Sequence, residues 1–329
     1  MKHLSFSFCA RLGRPFVPAT KKTKRATALA LLLAVGLSTA PVMAQDTDSG
    51  AALPAALNAP AESQTKNQGK PPCKKYKIAG LHVAVWKPET LPVQGGAPLV
   101  IFSHGSGGKN IQSKFIMRAL ARAGYLVIAP NHKDSTLTGI DLRPDWTFKR
   151  ASRWSDKTYD SRRQDIAKLL AALHSDPVWD KQIDWTKVAL SGHSLGGYTI
   201  LGLAGAWPSW KIDGIKAVLG LSPYCEPFLE NGNLGNIEVP VMYQGGTKDR
   251  GITPSIKRDC GAFSKTSPPV YFVEFDRVGH LGWTNFNHNK KKQELINYYC
   301  LAFLDKYLKG ISEVNLQTKL EGVTELEAK

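Results

Sequence analysis

In ALSGHSLGGYTIL, residues 189–201, Ser194 stands two residues after Gly192 and two before Gly196, directly behind the apolar run of KVAL. A serine opening a helix is ordinary, because its hydroxyl caps free amides. Small residues on both sides of it point to a turn too tight for side chains: the strand–turn–helix elbow that lifts a hydroxyl clear of the backbone. A hydroxyl so placed can attack an acyl carbon once a base takes its proton. The next amide, that of Leu195, then lies at a helix start, where it can face a developing oxyanion.

The base is best supplied by His280, in FDRVGHLGW, late in the chain and just beyond the last expected strand. Ser…acid…His is the chain order of one known triad arrangement. The acid should follow the preceding strand, and VPVMYQGGTKDR places Asp249 there. Asp276 competes, but it lies too near His280 along an extended segment to orient its ring easily. His193 adjoins Ser194 and should point away. His104 and His132 end strands and are expected on the pocket floor, with Trp154 and Trp283 as further substrate contacts. A second oxyanion donor is expected from FSHGSGGKN, where Gly105, Gly107 and Gly108 let the backbone turn its amides inward and Ser106 is the natural donor. Glycines of this kind also cradle phosphates, but no Gly-Lys-Ser/Thr ending accompanies these.

Such residues must be held at the ends of elements, and the chain supplies them. PLVIFSHG and YLVIAPNH are continuous apolar runs ending in polar residues, the pattern of strands buried on both faces. Between them QSKFIMRALARAG has helical spacing and a glycine stop. A helix near 156–174, a strand at KVALSG and a helix from Ser194 follow. Strands at IKAVLGLSP, VPVMYQGG and PVYFVEF and an amphipathic helix at 289–309 complete the set, with HVAVWK as an early strand. Alternation of this kind predicts an α/β fold with a mostly parallel central sheet and helices on both faces. In such sheets chemistry gathers at the carboxyl ends of the strands, which is where each polar cluster named above falls.

The chain has 329 residues, 43% of them hydrophobic, enough to bury one large core. Its formal charge of +16 is partly that of the first 44 residues, which carry seven Lys or Arg and no acid; removing those seven leaves +9. The remaining cations are scattered and no nucleic-acid signature accompanies them, so a nucleic-acid partner is not expected. KKTKRATALALLLAVGLSTAPVMAQ has the basic stretch, short apolar run and small-x-small site of an export signal, cleaved near Ala44. The apolar run is too short for a bilayer span. Residues 45–72 read as a flexible leader, 73–310 as the folded domain and 311–329 as a polar tail. Export leaves Cys73, Cys225, Cys260 and Cys300; two disulfides are expected, with Cys225–Cys260 and Cys73–Cys300 as the preferred pairing. Their spacing has no CxxC pair, so no metal site is expected, and no cofactor either.

Taken together, SHGSGG, LARAGYLVIAPNH, GHSLGGYT, the Asp after the penultimate strand and the GH after the last span about residues 76–309. On these motifs the chain resembles secreted α/β-hydrolases, close to the dienelactone hydrolase-like and platelet-activating-factor acetylhydrolase-like serine esterases. The resemblance implies an α/β-hydrolase fold without a large cap domain. It implies Ser194 as nucleophile, His280 as base, Asp249 as orienting acid and the Ser106 and Leu195 amides as oxyanion hole. True dienelactone hydrolases use cysteine where this chain has Ser194, which favours ordinary carboxylic esters as small-molecule substrates. A serine peptidase or amidase shares the acyl-enzyme route, and a non-catalytic binding module on the same fold is the alternative from another class.

Residues 134–156 form a long connection rich in aromatics and arginines. Trp146, Phe148 and Trp154 either cover part of the pocket or pack on the body. Arg143, Lys149, Arg150, Arg153, Arg162 and Arg163 either reach the pocket rim, where they would favour anionic substrates, or pair with Asp141, Asp145, Asp156, Asp160 and Asp165. The absence of a long apolar lid predicts short or compact acyl groups.

Overall fold

Apolar side chains at every position of a strand demand cover on both faces, and the chain meets that demand with one nine-stranded sheet. The structure is a computed structural model that describes residues 72–92, 95–135 and 148–329. The expected export signal and nearly all of the leader lie outside those residues, as do Asp141, Arg143, Asp145 and Trp146.

The strands are β1 (Cys73–Ile78), β2 (Leu81–Trp86), β3 (Ala97–Ser103), β4 (Leu126–Pro130), β5 (Ile183–Ser194), β6 (Ile215–Pro223), β7 (Val241–Gly246), β8 (Val270–Phe275) and β9 (Val323–Ala328). They lie in the order β1-β2-β4-β3-β5-β6-β7-β8-β9. The six from β4 to β8 in that order pair in parallel, while β1, β2 and β9 are antiparallel to their neighbours. The helices are α1 (Lys114–Arg122), α2 (Asp160–Ser175), α3 (Pro177–Asp180), α4 (Leu195–Leu201), α5 (Glu226–Glu230), α6 (Thr253–Lys257), α7 (Ala262–Lys265) and α8 (Lys290–Lys309).

Period-two alternation divides each buried strand between two cores. On β3, Leu99 and Ile101 join α2 (Ile166, Leu169, Leu173) and α4 on one face. Val100 and Phe102 join α1 (Ile116, Met117, Leu120) and α8 on the other. The fold is that of an α/β-hydrolase, and it sends the loops after β3, β4, β5, β6, β7 and β8 to one end of the sheet. Among the described residues no helix is long and apolar enough to cross a membrane.

Two expectations differ from what is found, and one open alternative is decided. The segment after Gly310 is not a tail outside the domain: β9 returns along β8, from Tyr271 opposite Ala328 to Phe275 opposite Val323. The two expected disulfides are absent from the described residues. The buried Cys225 turns inward and donates to the Pro223 carbonyl at 3.2 Å, while Cys260 is exposed. Cys300 is enclosed in the core, where Gln244 Nε2 donates to its Sγ at 3.4 Å, and Cys73 sits half-buried on the edge strand β1. Of the two readings for the basic cluster, Arg162 takes the one with a carboxylate partner. It is fully buried against Asp134, while Arg163 pairs with Asp160 at 2.6 Å.

Candidate active site

Ser194 ends β5 and opens α4 with φ 55° and ψ −117°, a conformation that L side chains rarely adopt. Close packing enforces it. A Cβ on Gly192 would lie 2.3 Å from the Gly196 carbonyl oxygen, one on Gly196 2.0 Å from the Ser103 oxygen, and one on Gly197 2.2 Å from Pro223 Cβ. Glycines therefore allow the start of α4 to seat against the ends of β3 and β6, and Ser194 takes the strained position between them.

The crossovers bring His280 and Asp249 to this serine. Ser194 Oγ lies 2.9 Å from His280 Nε2, and His280 Nδ1 lies 3.3 Å from Asp249 Oδ1. Asp249 is almost wholly buried, whereas the His280 side chain is about a third exposed at 35%. Burial pushes the Asp249 carboxyl up, but hydrogen bonds from His280, Ser222 and Thr253 outweigh it and hold it below the ordinary carboxylate value. Thr253 Oγ1 donates to Asp249 Oδ2 at 3.3 Å and accepts the Gly246 amide at 3.0 Å. Asp276 instead pairs with the exposed Arg277.

Ser222, at the end of β6, is a member that sequence reasoning missed. Its hydroxyl donates to Asp249 Oδ2 in a short hydrogen bond and accepts from His280 Nδ1 at 2.8 Å. The Nδ1 proton is thus shared by a hydroxyl and a carboxylate, which fixes the tautomer whose Nε2 lone pair faces Ser194. Like Ser194, Ser222 has a positive φ, 46°. The available signal was position: a polar residue at the carboxyl end of a parallel strand.

His193, beside the candidate nucleophile, is fixed rather than idle. Its Nε2–H donates to the His280 carbonyl at 2.8 Å, and its Nδ1 accepts from Gln112 Nε2 at 2.9 Å. Gln112 Oε1 in turn accepts the Gly105 amide at 3.1 Å. Burial, with the neighbouring His280 charge, lowers the His193 pKa to about 3, so the ring is a neutral spacer.

The four expected substrate contacts lie elsewhere. His104, His132 and Trp283 are fully buried and Trp154 is 1% exposed, so none of them lines an open pocket. Trp154 packs among Phe148, Tyr159, Tyr198 and Tyr224, and Trp283 donates its indole N–H to Gln244 at 2.8 Å. His104 Nδ1–H donates to the Gly105 carbonyl at 2.7 Å, while its Nε2 accepts the His132 amide at 3.0 Å. His132 Nδ1 meets Asp165 at 3.0 Å and its Nε2 meets Ser103 Oγ at 2.9 Å. Burial, reinforced by Arg162, holds both histidines well below their ordinary pKa.

The loop after β3 runs past Ser194: a Cβ on Gly105 would lie 3.4 Å from Ser194 Cβ. Ser106, expected to donate to an oxyanion, is on this loop, and Leu195 is the first residue of α4, whose amide has no partner within its own helix. A hydroxyl on a strained elbow, an oriented imidazole, a buried carboxylate and two candidate amides make an arrangement able to carry out acyl transfer.

Comparison with known proteins points the same way. A family model described as "Platelet-activating factor acetylhydrolase, isoform II" matches residues 66–142. The chain is also 21% identical over 266 residues to platelet-activating factor acetylhydrolase of Gallus gallus, covering 64% of this chain. It spans 62% of the length of that relative. By architecture and by these matches, the chain is an α/β-hydrolase-fold protein similar to the platelet-activating factor acetylhydrolases.

Proposed function

We propose that the chain is a serine esterase that cleaves short or compact acyl esters through an acyl-enzyme on Ser194. The observation that carries this reading is the contact of 2.9 Å between Ser194 Oγ and His280 Nε2, made at a strained strand–helix elbow. His280 takes the hydroxyl proton as Ser194 attacks the ester carbonyl. Asp249 and Ser222 stabilise the resulting imidazolium from its Nδ1 side. The Ser106 and Leu195 amides receive the oxyanion, and the collapse releases an alcohol that takes the proton from His280. Water then repeats the sequence on the acyl-enzyme.

Two considerations support a compact acyl group. The sequence carries no long apolar lid against which a long chain would gain burial at about 25 cal/mol per Å², and the relative's name describes hydrolysis of an acetyl group. Export with cleavage near Ala44 belongs to the same proposal, and N-terminal sequencing of the mature protein tests it.

Ser194→Ala should lower hydrolysis of acetyl and butyryl nitrophenyl esters by about 10⁴–10⁶-fold while leaving the fold intact. A fluorophosphonate probe should label the native protein and not the variant. Equal labelling of both, or a rate maximum on the palmitoyl ester, would refute the nucleophile and the compact-acyl preference respectively. Peptide amides in the same panel separate an esterase from a peptidase.

A further inference from the structure

Arg162 lies on α2, is fully buried, and none of the triad chemistry uses it. Each of its five N–H groups has an acceptor. Nε and Nη2 grip Asp134 at 2.9 and 2.7 Å. Nη1 donates to the His104 carbonyl at 2.7 Å and to Ser103 Oγ at 3.3 Å, and Nη2 also donates to the Gly105 carbonyl at 3.2 Å. The fork therefore ties the segment after β4 to two consecutive carbonyls of the loop after β3. That two-pronged reach is available to a planar guanidinium and not to an ammonium.

The Gly105 carbonyl is the telling acceptor, because three donors converge on it: Arg162 Nη2, His104 Nδ1 at 2.7 Å and the Gly108 amide at 3.0 Å. Its peptide plane is shared with the N–H of Ser106. The only cis bond among the described residues is Pro268–Pro269, so this one is trans, and its N–H points opposite to its C=O. Drawing the carbonyl into the protein turns the Ser106 amide out on the other side. The preceding amide, that of Gly105, is already taken by Gln112. Further ties hold the frame: Ser135 Oγ donates to the Gly108 carbonyl at 2.8 Å, and the Asn110 amide donates to Asn131 at 2.7 Å.

We propose that Arg162 is the positioning residue of the oxyanion hole: by holding the His104 and Gly105 carbonyls, it aims the Ser106 amide at the acyl oxygen. The proposal rests on the reading of Ser194 as nucleophile, since the amide has a purpose only if an oxyanion forms beside it. A preorganised donor matters in the transition state and little in the ground state. The signature of losing Arg162 is thus a lower kcat at nearly constant KM. It is also selective for oxygen, because sulfur accepts hydrogen bonds weakly.

The test compares a nitrophenyl acetate with its thionoester, using wild type, Arg162→Lys and Arg162→Gly. Arg162→Lys should lower kcat on the oxygen ester by about 100-fold with KM changed less than about threefold, and lower the thionoester rate by less than about fivefold. Binding of a trifluoromethyl ketone, which forms a tetrahedral oxyanion, should weaken in parallel with kcat. Added guanidinium should restore much of the oxygen-ester rate in Arg162→Gly. If the lysine variant fails to fold, Asp134→Asn, which frees the far side of the fork, should show the same selectivity at about five- to tenfold. Equal losses on both esters, a change confined to KM, or no loss in a folded Arg162→Lys protein overturns the proposal. Undiminished hydrolysis by Ser194→Ala would instead overturn the nucleophile on which it rests.

Discussion

Two Ser–His–Asp constellations lie within this one molecule, and their differences say more than their likeness. Ser194–His280–Asp249 has spacings of 2.9 and 3.3 Å, and Ser103–His132–Asp165 has 2.9 and 3.0 Å. By distance alone the second is the better formed. Yet Ser103 and His132 are fully enclosed, Ser103 closes β3 without the positive φ of Ser194, and its hydroxyl also receives Arg162. Ser194 stands on a strained elbow at a helix start, beside a histidine that water can reach. The carboxylates differ in the same sense. Asp249 is held below its ordinary pKa by its hydrogen bonds, whereas burial raises Asp165 to about 6. A hydroxyl, an imidazole and a carboxylate in line are therefore a common way to satisfy polar groups. Access, backbone strain and neighbouring amides are what turn such a line toward chemistry.

The contrast can be broken most forcefully at the two carboxylates. Asp249→Asn should lower kcat on acetyl esters by about 10³–10⁴-fold, because the amide favours the wrong imidazole tautomer. Asp165→Asn should change kcat by less than about tenfold. Steady-state kinetics on both variants decides the matter, and equal losses would erase the distinction.

A smaller effect belongs to the buried titratable groups of both constellations. His104, His132 and His193 all have pKa values lowered by burial, so the stability they confer is fully present above the unfolded value near 6.5 and is lost progressively as pH falls from there toward their folded values. Asp165 acts in the opposite sense, since its folded pKa is raised: it stabilises at acid pH and the benefit fades as pH rises through about 6. Near pH 5 unfolding should accordingly take up about two protons net, three gained by histidines and one released by Asp165. The pH dependence of the urea midpoint measures this. In Asp165→Asn the uptake should approach about three, and a flat stability between pH 7 and 5 would contradict the neutral-histidine assignment.

The gentlest probe sharpens the exposed site. Ser222→Ala removes one bond to His280 and one to Asp249 while leaving Thr253 in place. One hydrogen bond to a charged group corresponds to about tenfold, so kcat should fall by about that factor with KM unchanged. A loss as large as that of Asp249→Asn would make Ser222 the principal partner of His280.

Much of this arrangement was legible because parallel strands announce themselves as apolar runs, and their carboxyl ends locate Ser106, Ser194 and Asp249 on one rim. The strands at either edge were not legible. CKKYKI and VTELEA carry lysines and glutamates because an edge meets water on one side, so the first shows no strand pattern and the second reads as tail. Nor was the inward turn of Arg162 legible, since an arginine among arginines reads as surface until Asp134 and two carbonyls are folded over it. The strand-end logic that puts Asp249 at that end also puts His104 and His132 on the pocket floor, where packing instead encloses them, as it does Trp154 and Trp283. Chain order gives the end of the sheet, and only packing tells whether a side chain there faces outward.

His280 is touched at each of its two nitrogens by a serine, and both serines, Ser194 and Ser222, sit in the left-handed backbone region at the end of a strand. Each such residue costs about 1–3 kcal/mol that glycine would not. Selection for stability alone would steadily favour glycine at both positions, and an imidazole with no hydroxyl on either side. On the proposed acyl-enzyme reading, serine at both positions exchanges durability for reactivity, twice, around a single ring.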